Sequence, residues 1–403
     1  MPLVIIKPKK RPRKKPWMTI ILILLLVTGL GANYLRPLPS VAATISLPRT
    51  QAAEPITLQW PNGGQAAIGA EGYGLLASSG AQTPLATASI AKVITALCVL
   101  QKYPLSPGQQ GPTLTLTGED LQIYNNYAAD GSVVQVYVGE QLSEYQMLQG
   151  LLLPSANNLA DSLAIWAFGS LANYKAYATS FLLQNGLTAT HLGSDASGYG
   201  TTTVSTANDL VKLGLLATRN AVLAEIASQP SAPLPMVGTV SNYNTVLGQS
   251  GITGLKTGNN SADPGAFLFS ANVQVGSKPL VVVGAIMGQP DLETALQSSI
   301  KLVATIQANF DMRTIIPNGK IIASYKAPWG ATTVAIAKQP VSLLRWKGDA
   351  SLIKYTAEPI LPGQKSKTVG SIEVSAGNML AASPLELKQP LEAPSFWWRL
   401  TRH

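Results

Sequence analysis

Histidine and cysteine are nearly missing from this 403-residue chain. Its two histidines are His191 and His403, and Cys98 is its single cysteine. One cysteine allows no intrachain disulfide. So few imidazoles and thiols cannot build a histidine-based zinc centre or a cysteine cluster. A Ser-His-Asp triad could draw only on His191, and no Gly-x-Ser-x-Gly elbow occurs. Nucleophilic chemistry must therefore take its base from another residue type. Charge is also scarce: charged residues are 12% of the chain, about half of the ~25% in ordinary soluble domains. Of the 29 basic residues, seven lie within the first fifteen positions, which leaves 22 against 20 acidic residues elsewhere. A nucleic-acid-binding protein spreads its positive charge over a face of the fold. This body is close to neutral, so nucleic acid is excluded as a partner. Hydrophobic residues make up 46%, enough for a large core.

The basic run Lys7–Lys15 precedes an apolar stretch, Trp17 to Leu35, that carries no charge. Nineteen such residues are about what a bilayer crossing needs. The basic flank orients it, with residues 1–16 in the cytoplasm and the rest outside. The length favours an uncleaved anchor over a signal peptide cut near Val41-Ala42-Ala43, a poor cleavage site. Residues 36–54, opening Arg36-Pro-Leu-Pro-Ser, read as an extended linker.

Short strands are predicted at Ile56–Trp60, Gln65–Gly69 and Gly72–Ala77, around the turn Pro61-Asn-Gly-Gly. Helical spacing of Ile90, Val93, Ile94, Leu97 and Leu100 predicts a helix over 88–103, ended by Pro104. Further helices are predicted at 143–153, 158–167, 172–185, 205–218, 220–228 and 291–310. Two apolar runs, Gly265–Val275 and Lys278–Met287, read as a hairpin of central strands joined at Gly276-Ser277. Strands first, helices between and strands last imply an α+β fold: an antiparallel sheet built from both chain ends, flanked by helices, with an all-helical insertion. From about Met312, turn signals and alternating strands, such as Thr332–Ala337 and Ser371–Val374, imply a small C-terminal β-sandwich. The expected division is a stub at 1–16, an anchor at 17–35, a linker at 36–54, a catalytic domain at 55–311, a β-domain at 312–391 and a tail at 392–403.

Three short motifs carry chemistry. Ser89-Ile-Ala-Lys92 opens the 88–103 helix. Positions i and i+3 share a helix face, so the ammonium can reach the hydroxyl. A serine needs an adjacent base. A lysine serves when burial and a neighbouring cation depress its proton affinity, and backbone N–H groups at the helix start suit an oxyanion. Alone, the pattern is equally that of a capping serine with a solvated lysine. Ser155-Ala-Asn157 lies between two predicted helices. There the serine can relay a proton and the amide can grip a substrate amide, although Asn157 or Asn158 could simply cap a helix. Lys256-Thr-Gly258 leads into the 265–275 strand. Its lysine and threonine suit a carboxylate, and its glycine admits close approach of a ligand; alone it is a common loop.

In this order and on these elements, the three match the set found in class A β-lactamases and penicillin-binding proteins. Between Asn157 and Lys256 the only glutamate is Glu225, within a predicted helix, which argues against the β-lactamase side. The body resembles the D-alanyl-D-alanine carboxypeptidases of the low-molecular-weight penicillin-binding protein type. The resemblance extends over roughly residues 55–390. It includes Thr87-Ala-Ser-Ile-Ala-Lys-Val-Ile-Thr, Gly139-Glu-Gln-Leu, Leu151-Leu-Leu-Pro-Ser-Ala-Asn-Asn, Ser205-Thr-Ala-Asn-Asp-Leu, and Gly254-Leu-Lys-Thr-Gly followed by Ala266-Phe-Leu-Phe-Ser-Ala. The alternatives are a class A-like β-lactamase and a non-catalytic peptidoglycan-binding protein that kept the fold.

The resemblance implies two-step acyl transfer on the D-Ala-D-Ala end of peptidoglycan stem peptides, outside a bacterial cell membrane, without metal or cofactor. It assigns Ser89 as nucleophile, Lys92 as base and Ser155 as proton relay. Lys256 and Thr257 would hold the substrate carboxylate, with Gly258 beside them, and Asn157 would hold the acyl amide. The N–H groups of Ser89 and Asn259 would form the oxyanion hole. β-Lactams would acylate Ser89 as substrate mimics. Two departures bear on substrate preference: Asn259-Asn260 stands where His-Thr or a similar pair is common, and Gln289 follows Met287-Gly288 where many members carry an arginine. His191 reads as a loop residue and Cys98 as core. The tail Pro394-Ser-Phe-Trp-Trp-Arg-Leu-Thr-Arg-His403 leaves two readings open, a membrane-interface segment or a strap packed on the β-domain.

Overall fold

A computed structural model describes residues 16–260, 263–364 and 367–402; the basic stub lies outside them except for Pro16. Helix α1 (Pro16–Leu35) opens the described chain. It is long and apolar enough to cross a membrane, with mean hydropathy 2.1 over Trp17–Leu35 and none of that stretch buried in the fold.

A five-stranded antiparallel sheet organises the body, in the order Ile252–Asn260, Asp263–Val275, Lys278–Gln289, Gln65–Ala70, Gly74–Ser79. Both chain ends of the domain therefore meet at the pairing of Lys278–Gln289 with Gln65–Ala70, with Val282 opposite Ala70 and Met287 opposite Gln65. The middle of the two central strands, Ala266–Phe269 and Val282–Met287, is buried and apolar because both faces are covered there. Phe267, Phe269, Ala271 and Val273 pack on one side, and Ala266 and Leu268 on the other. Gly284 is needed beneath Phe269: a Cβ there would sit 2.1 Å from the ring.

Helices α2 (Ala91–Lys102), α3 (Gly118–Tyr127), α4 (Glu144–Leu152), α5 (Asn157–Phe168), α6 (Leu171–Gln184), α7 (Ala207–Arg219) and α8 (Ala221–Ala227) build the helical part. α7 lies on the sheet beside strands Gln65–Ala70 and Lys278–Gln289. α9 (Leu292–Ala308) covers the opposite face. The predicted helices all form, with ends shifted by a few residues.

Two readings change. Ile56–Trp60 forms no strand. Its backbone runs along α9 instead, with Thr57 N–H donating to Asn309 Oδ1 at 3.3 Å and Gln59 N–H to Thr305 Oγ1 at 3.1 Å. Residues 36–54 are not a free spacer either. Ala43–Ile45 and Thr50–Gln51 pair at the two edges of the C-terminal sheet, and Val41 is buried against Ile360.

That sheet has seven strands, ordered Ala43–Ile45, Ile321–Lys326, Thr332–Ala337, Met379–Leu387, Thr368–Ala376, Ser351–Ala357, Thr50–Gln51. A ribbon of Phe310–Ile316 and Val341–Trp346 packs against it through Ile316, Val341 and Leu343. Arg345 is fully buried in this ribbon, where its guanidinium pairs with Asp311 at 2.9 Å and with Glu54. The tail forms helix α10 (Phe396–Thr401), which lies against the end of α1. Asn33 Nδ2 donates to the carbonyls of Leu400 and Arg402 at 3.1 and 2.8 Å, and Trp398 stacks edge-on against Trp329 of the β-domain.

Glu144, in the first turn of α4, is fully buried, and neither carboxyl oxygen has a partner among the described residues. Burial pushes its carboxyl from 4.5 up to about 7. A raised carboxyl contributes stability that is fully present below its unfolded pKa and is lost as pH rises through the folded value. Melting temperature is therefore expected to fall between pH 5 and about 8. Glu144→Gln should flatten that decline; an identical slope in the variant would refute the assignment.

Candidate active site

Thr87 sets the start of the catalytic turn. Its N–H donates to Thr203 O at 3.0 Å, and it is buried. Ala88 then takes φ +44°, an uncommon left-handed conformation for alanine. That turn places half-buried Ser89 in a short 3₁₀ segment, Ala88–Ile90, which runs straight into α2. The serine is thus not a side-chain cap: no capping hydrogen bond forms at this end.

Lys92, one turn on, is fully buried. Its Nζ donates to Ser89 Oγ at 2.8 Å, to Asn157 Oδ1 at 2.7 Å and to the Ser197 carbonyl at 2.9 Å. Three acceptors saturate an ammonium and fix its direction. Burial, then the charge of Lys256, holds its proton affinity well below that of a free lysine; Asp195 and Asp161 pull the other way. A lysine poised in this way can accept a proton from the hydroxyl it touches.

Asn157 is the first residue of α5, whose N-cap is Ala156, so neither Asn157 nor Asn158 caps the helix. Asn158 instead exchanges two hydrogen bonds with Val134, at 3.1 and 2.9 Å. Ser155 precedes them at φ +64°, buried, its Oγ without a partner among the described residues. Lys256 and Thr257 are buried on the edge strand of the large sheet, with Lys256 Nζ 3.1 Å from the Thr257 carbonyl and 3.3 Å from its Oγ1. Burial lowers Lys256 to about 7. Gly258 lets this strand press on the nucleophile turn, because a Cβ there would lie 2.7 Å from the Thr87 carbonyl.

Ser89, Asn157 and Asn259 line one small cavity of about 40 Å³, together with Asp130, Gly131, Ser132, Gly198 and Tyr199. The last five were not picked out from the sequence. Gly131 leaves room for the Asn157 amide, and Ser132 O accepts from Asn157 N–H at 2.7 Å. Asp195 folds the 195–200 turn by accepting from Ser197, Tyr199 and Gly200 N–H groups at 2.9–3.1 Å. The sequence signal was available: an aspartate followed by Ala-Ser-Gly marks a turn. Gly198, at φ +72°, sits where a Cβ would fall 2.1 Å from the Ala88 carbonyl. Gly198→Ala should therefore displace the nucleophile turn and lower Ser89 acylation by roughly 10²-fold or more; a rate within threefold of the parent would show that the turn tolerates the shift.

The remaining sequence readings separate cleanly. Gln289 is buried and donates to Gly63 O at 3.1 Å, so it braces a turn instead of facing the cavity. His191 has an exposed side chain and pairs with Val204 only through its backbone, at 2.8 and 2.9 Å. Cys98 is fully buried in the core, and burial pushes its thiol up, away from reactivity. Glu225, on α8, accepts from Tyr145 Oη at 2.8 Å, away from the cavity. Among the described residues no three His, Cys, Asp or Glu side chains are arranged to hold a metal ion.

The family model for D-alanyl-D-alanine carboxypeptidases, peptidase S11, matches residues 66–288, from the first sheet strand to the end of the last. The chain belongs to this family. D-alanyl-D-alanine carboxypeptidase DacB2 of Mycobacterium tuberculosis is 32% identical over 193 residues, covering 46% of this chain. The chain spans 61% of that relative's length. Penicillin-binding protein 5 of Haemophilus influenzae has the same fold, with TM-score 0.58 and 18% identity over 85% of this chain and all of that one. The peptidoglycan synthesis regulatory factor PBP3 of Streptococcus pneumoniae likewise gives TM-score 0.59 and 16% identity over 83% of this chain and all of its own. Both likenesses extend beyond the matched 66–288 segment, so family and fold together account for most of the body.

Proposed function

We propose that this chain is a serine D-alanyl-D-alanine carboxypeptidase that removes the terminal D-alanine from peptidoglycan stem peptides. The observation that carries this reading is the 2.8 Å contact from Lys92 Nζ to Ser89 Oγ in a fully buried, cation-flanked position. Ser89 Oγ attacks the carbonyl between the two D-alanines while Lys92 takes its proton. The tetrahedral oxyanion is held by the N–H groups of Ser89 and Asn259. Ser155 passes a proton to the departing D-alanine nitrogen, whose carboxylate rests on Lys256 and Thr257. Asn157, already on Lys92 through Oδ1, grips the acyl amide. Water then cleaves the ester and restores Ser89. β-Lactams enter the first step and stall at the ester. Residues 55–311 form the catalytic domain and 312–391 the β-domain. The 36–54 segment straps the two together through Glu54 and its strand pairings.

α1 anchors the enzyme, with the catalytic domain on the outer side of the membrane. The tail belongs to the same interface: Arg399 lies over Tyr34 at 5.3 Å, and Phe396 and Trp397 are exposed beside the helix end. Membrane flotation of the chain lacking residues 1–35 tests the anchor, which requires that this form stay in solution.

The function is tested with a stem pentapeptide ending in D-Ala-D-Ala. The reading predicts one equivalent of D-alanine released per peptide, lost in Ser89→Ala. Release that survives Ser89→Ala would place the chemistry elsewhere.

A further inference from the structure

Asp161 is charged, buried and unused by the mechanism above. It lies on α5 one turn beyond Asn157 and is 4% exposed, so it shares the helix face that meets Lys92. Its Oδ1 accepts from Ala196 N–H at 2.8 Å and its Oδ2 from Tyr127 Oη at 2.7 Å. Ala196 is gripped at its other end as well: Thr95 Oγ1 donates to its carbonyl at 2.6 Å. The next residue, Ser197, supplies the carbonyl that holds Lys92 Nζ. Tyr127 closes α3; its ring stands edge-on to Tyr199, 5.2 Å away, and its carbonyl accepts from Gly131 N–H at 2.8 Å. One carboxylate thus ties together three walls of the cavity: α5 with Asn157, the 195–200 turn with Ser197 and Tyr199, and the end of α3 leading to Gly131.

We propose that Asp161 is a positioning residue for the acyl-transfer step, fixing the Ser197 carbonyl on Lys92 and setting, through its negative charge, how readily that lysine gives up its proton. The inference rests on the reading of Lys92 as the base. The charged groups around Lys92 come from each neighbouring element. Lys256 on the edge strand drives the proton off, while Asp195 in the turn and Asp161 on α5 retain it. Asp161 is itself raised to about 6, chiefly by burial, with Tyr127 and Ala196 opposing. Above about pH 6 it is therefore ionised and favours the ammonium; below that it is neutral and the pull disappears.

Asp161→Asn separates charge from geometry. The amide oxygen still accepts from Ala196 N–H, and the amide nitrogen can donate to the Tyr127 oxygen. With the charge gone, Lys92 loses its proton at lower pH. The acid limb of Ser89 acylation by a fluorescent penicillin, measured on the full chain in detergent, should move down by roughly half to one pH unit. A purely structural residue would change the plateau and leave the limb in place. Tyr127→Phe provides the second variant. Removing that donor raises the carboxyl further, so it is neutralised over a wider range and the limb moves in the same direction by less. Acylation of the unaltered chain on Ser89 establishes the underlying site independently of both variants. A limb that stays where it was, in whichever variant folds, overturns the proposal.

Discussion

Lys92→Met lowers the rate of Ser89 acylation by more than about 10²-fold and up to about 10⁴-fold, the range for removing a general base. Methionine matches the volume of the lysine stem, so packing of α2 survives. What is lost is, among the described residues, the only nitrogen in hydrogen-bond contact with the nucleophile, together with the bonds that hold Asn157 and Ser197 in place. Two things amplify the loss. Serine is a poor nucleophile without a base, and among the described residues no histidine stands near enough to replace the lysine, since His191 is exposed and outside the cavity. Stopped-flow acylation by a chromogenic penicillin measures it. A variant that retains even one hundredth of the parent rate would mean that the proton goes elsewhere.

Lys256→Met has a different signature. Both lysines are buried, and the charge of Lys256 makes Lys92 easier to deprotonate. Removing the Lys256 charge leaves Lys92 with Asp161 and Asp195 as its charged neighbours, so Lys92 keeps its proton to higher pH. The acid limb should shift upward, opposite in sign to Asp161→Asn. Loss of the carboxylate contact adds a fall of roughly 10²-fold in kcat/KM for substrates ending in a free carboxylate. Substrates esterified at that carboxyl should suffer much less. Equal losses for acid and ester would remove Lys256 from the carboxylate site.

How much of this was legible beforehand depended on whether the cause was local. The helix predicted over 88–103 and the two central strands follow from periodicity and long apolar runs, and both form, the helix as a 3₁₀ turn Ala88–Ile90 running into α2. The Ser-x-x-Lys pair is legible because three residues of helix fix its geometry. By contrast, Ile56–Trp60 alternates like a strand but finds its hydrogen-bond partners on α9, a choice made by tertiary packing. Residues 36–54 carry prolines and read as a spacer, yet they supply both edges of a sheet whose other strands lie some 270 residues later or more. Asn157 resembles a cap in sequence; only the fold shows its oxygen committed to Lys92. Asp161 and Tyr199 left no separable mark, because each acts through a partner distant in the chain, Tyr127 and Asp130; Asp195 acts locally on its own turn and is legible as a turn signal. The mechanism needs a lysine base where histidine is scarce, and that scarcity is the one feature of composition that pointed at the site directly.

The central claim is that Ser89 is the acylated nucleophile. Intact-protein mass spectrometry after incubation with benzylpenicillin, followed by peptide mapping, tests it most directly. The account predicts a single penicilloyl adduct on the peptide containing Ser89, absent in Ser89→Ala. An adduct on any other residue, or none on the folded protein, would contradict it.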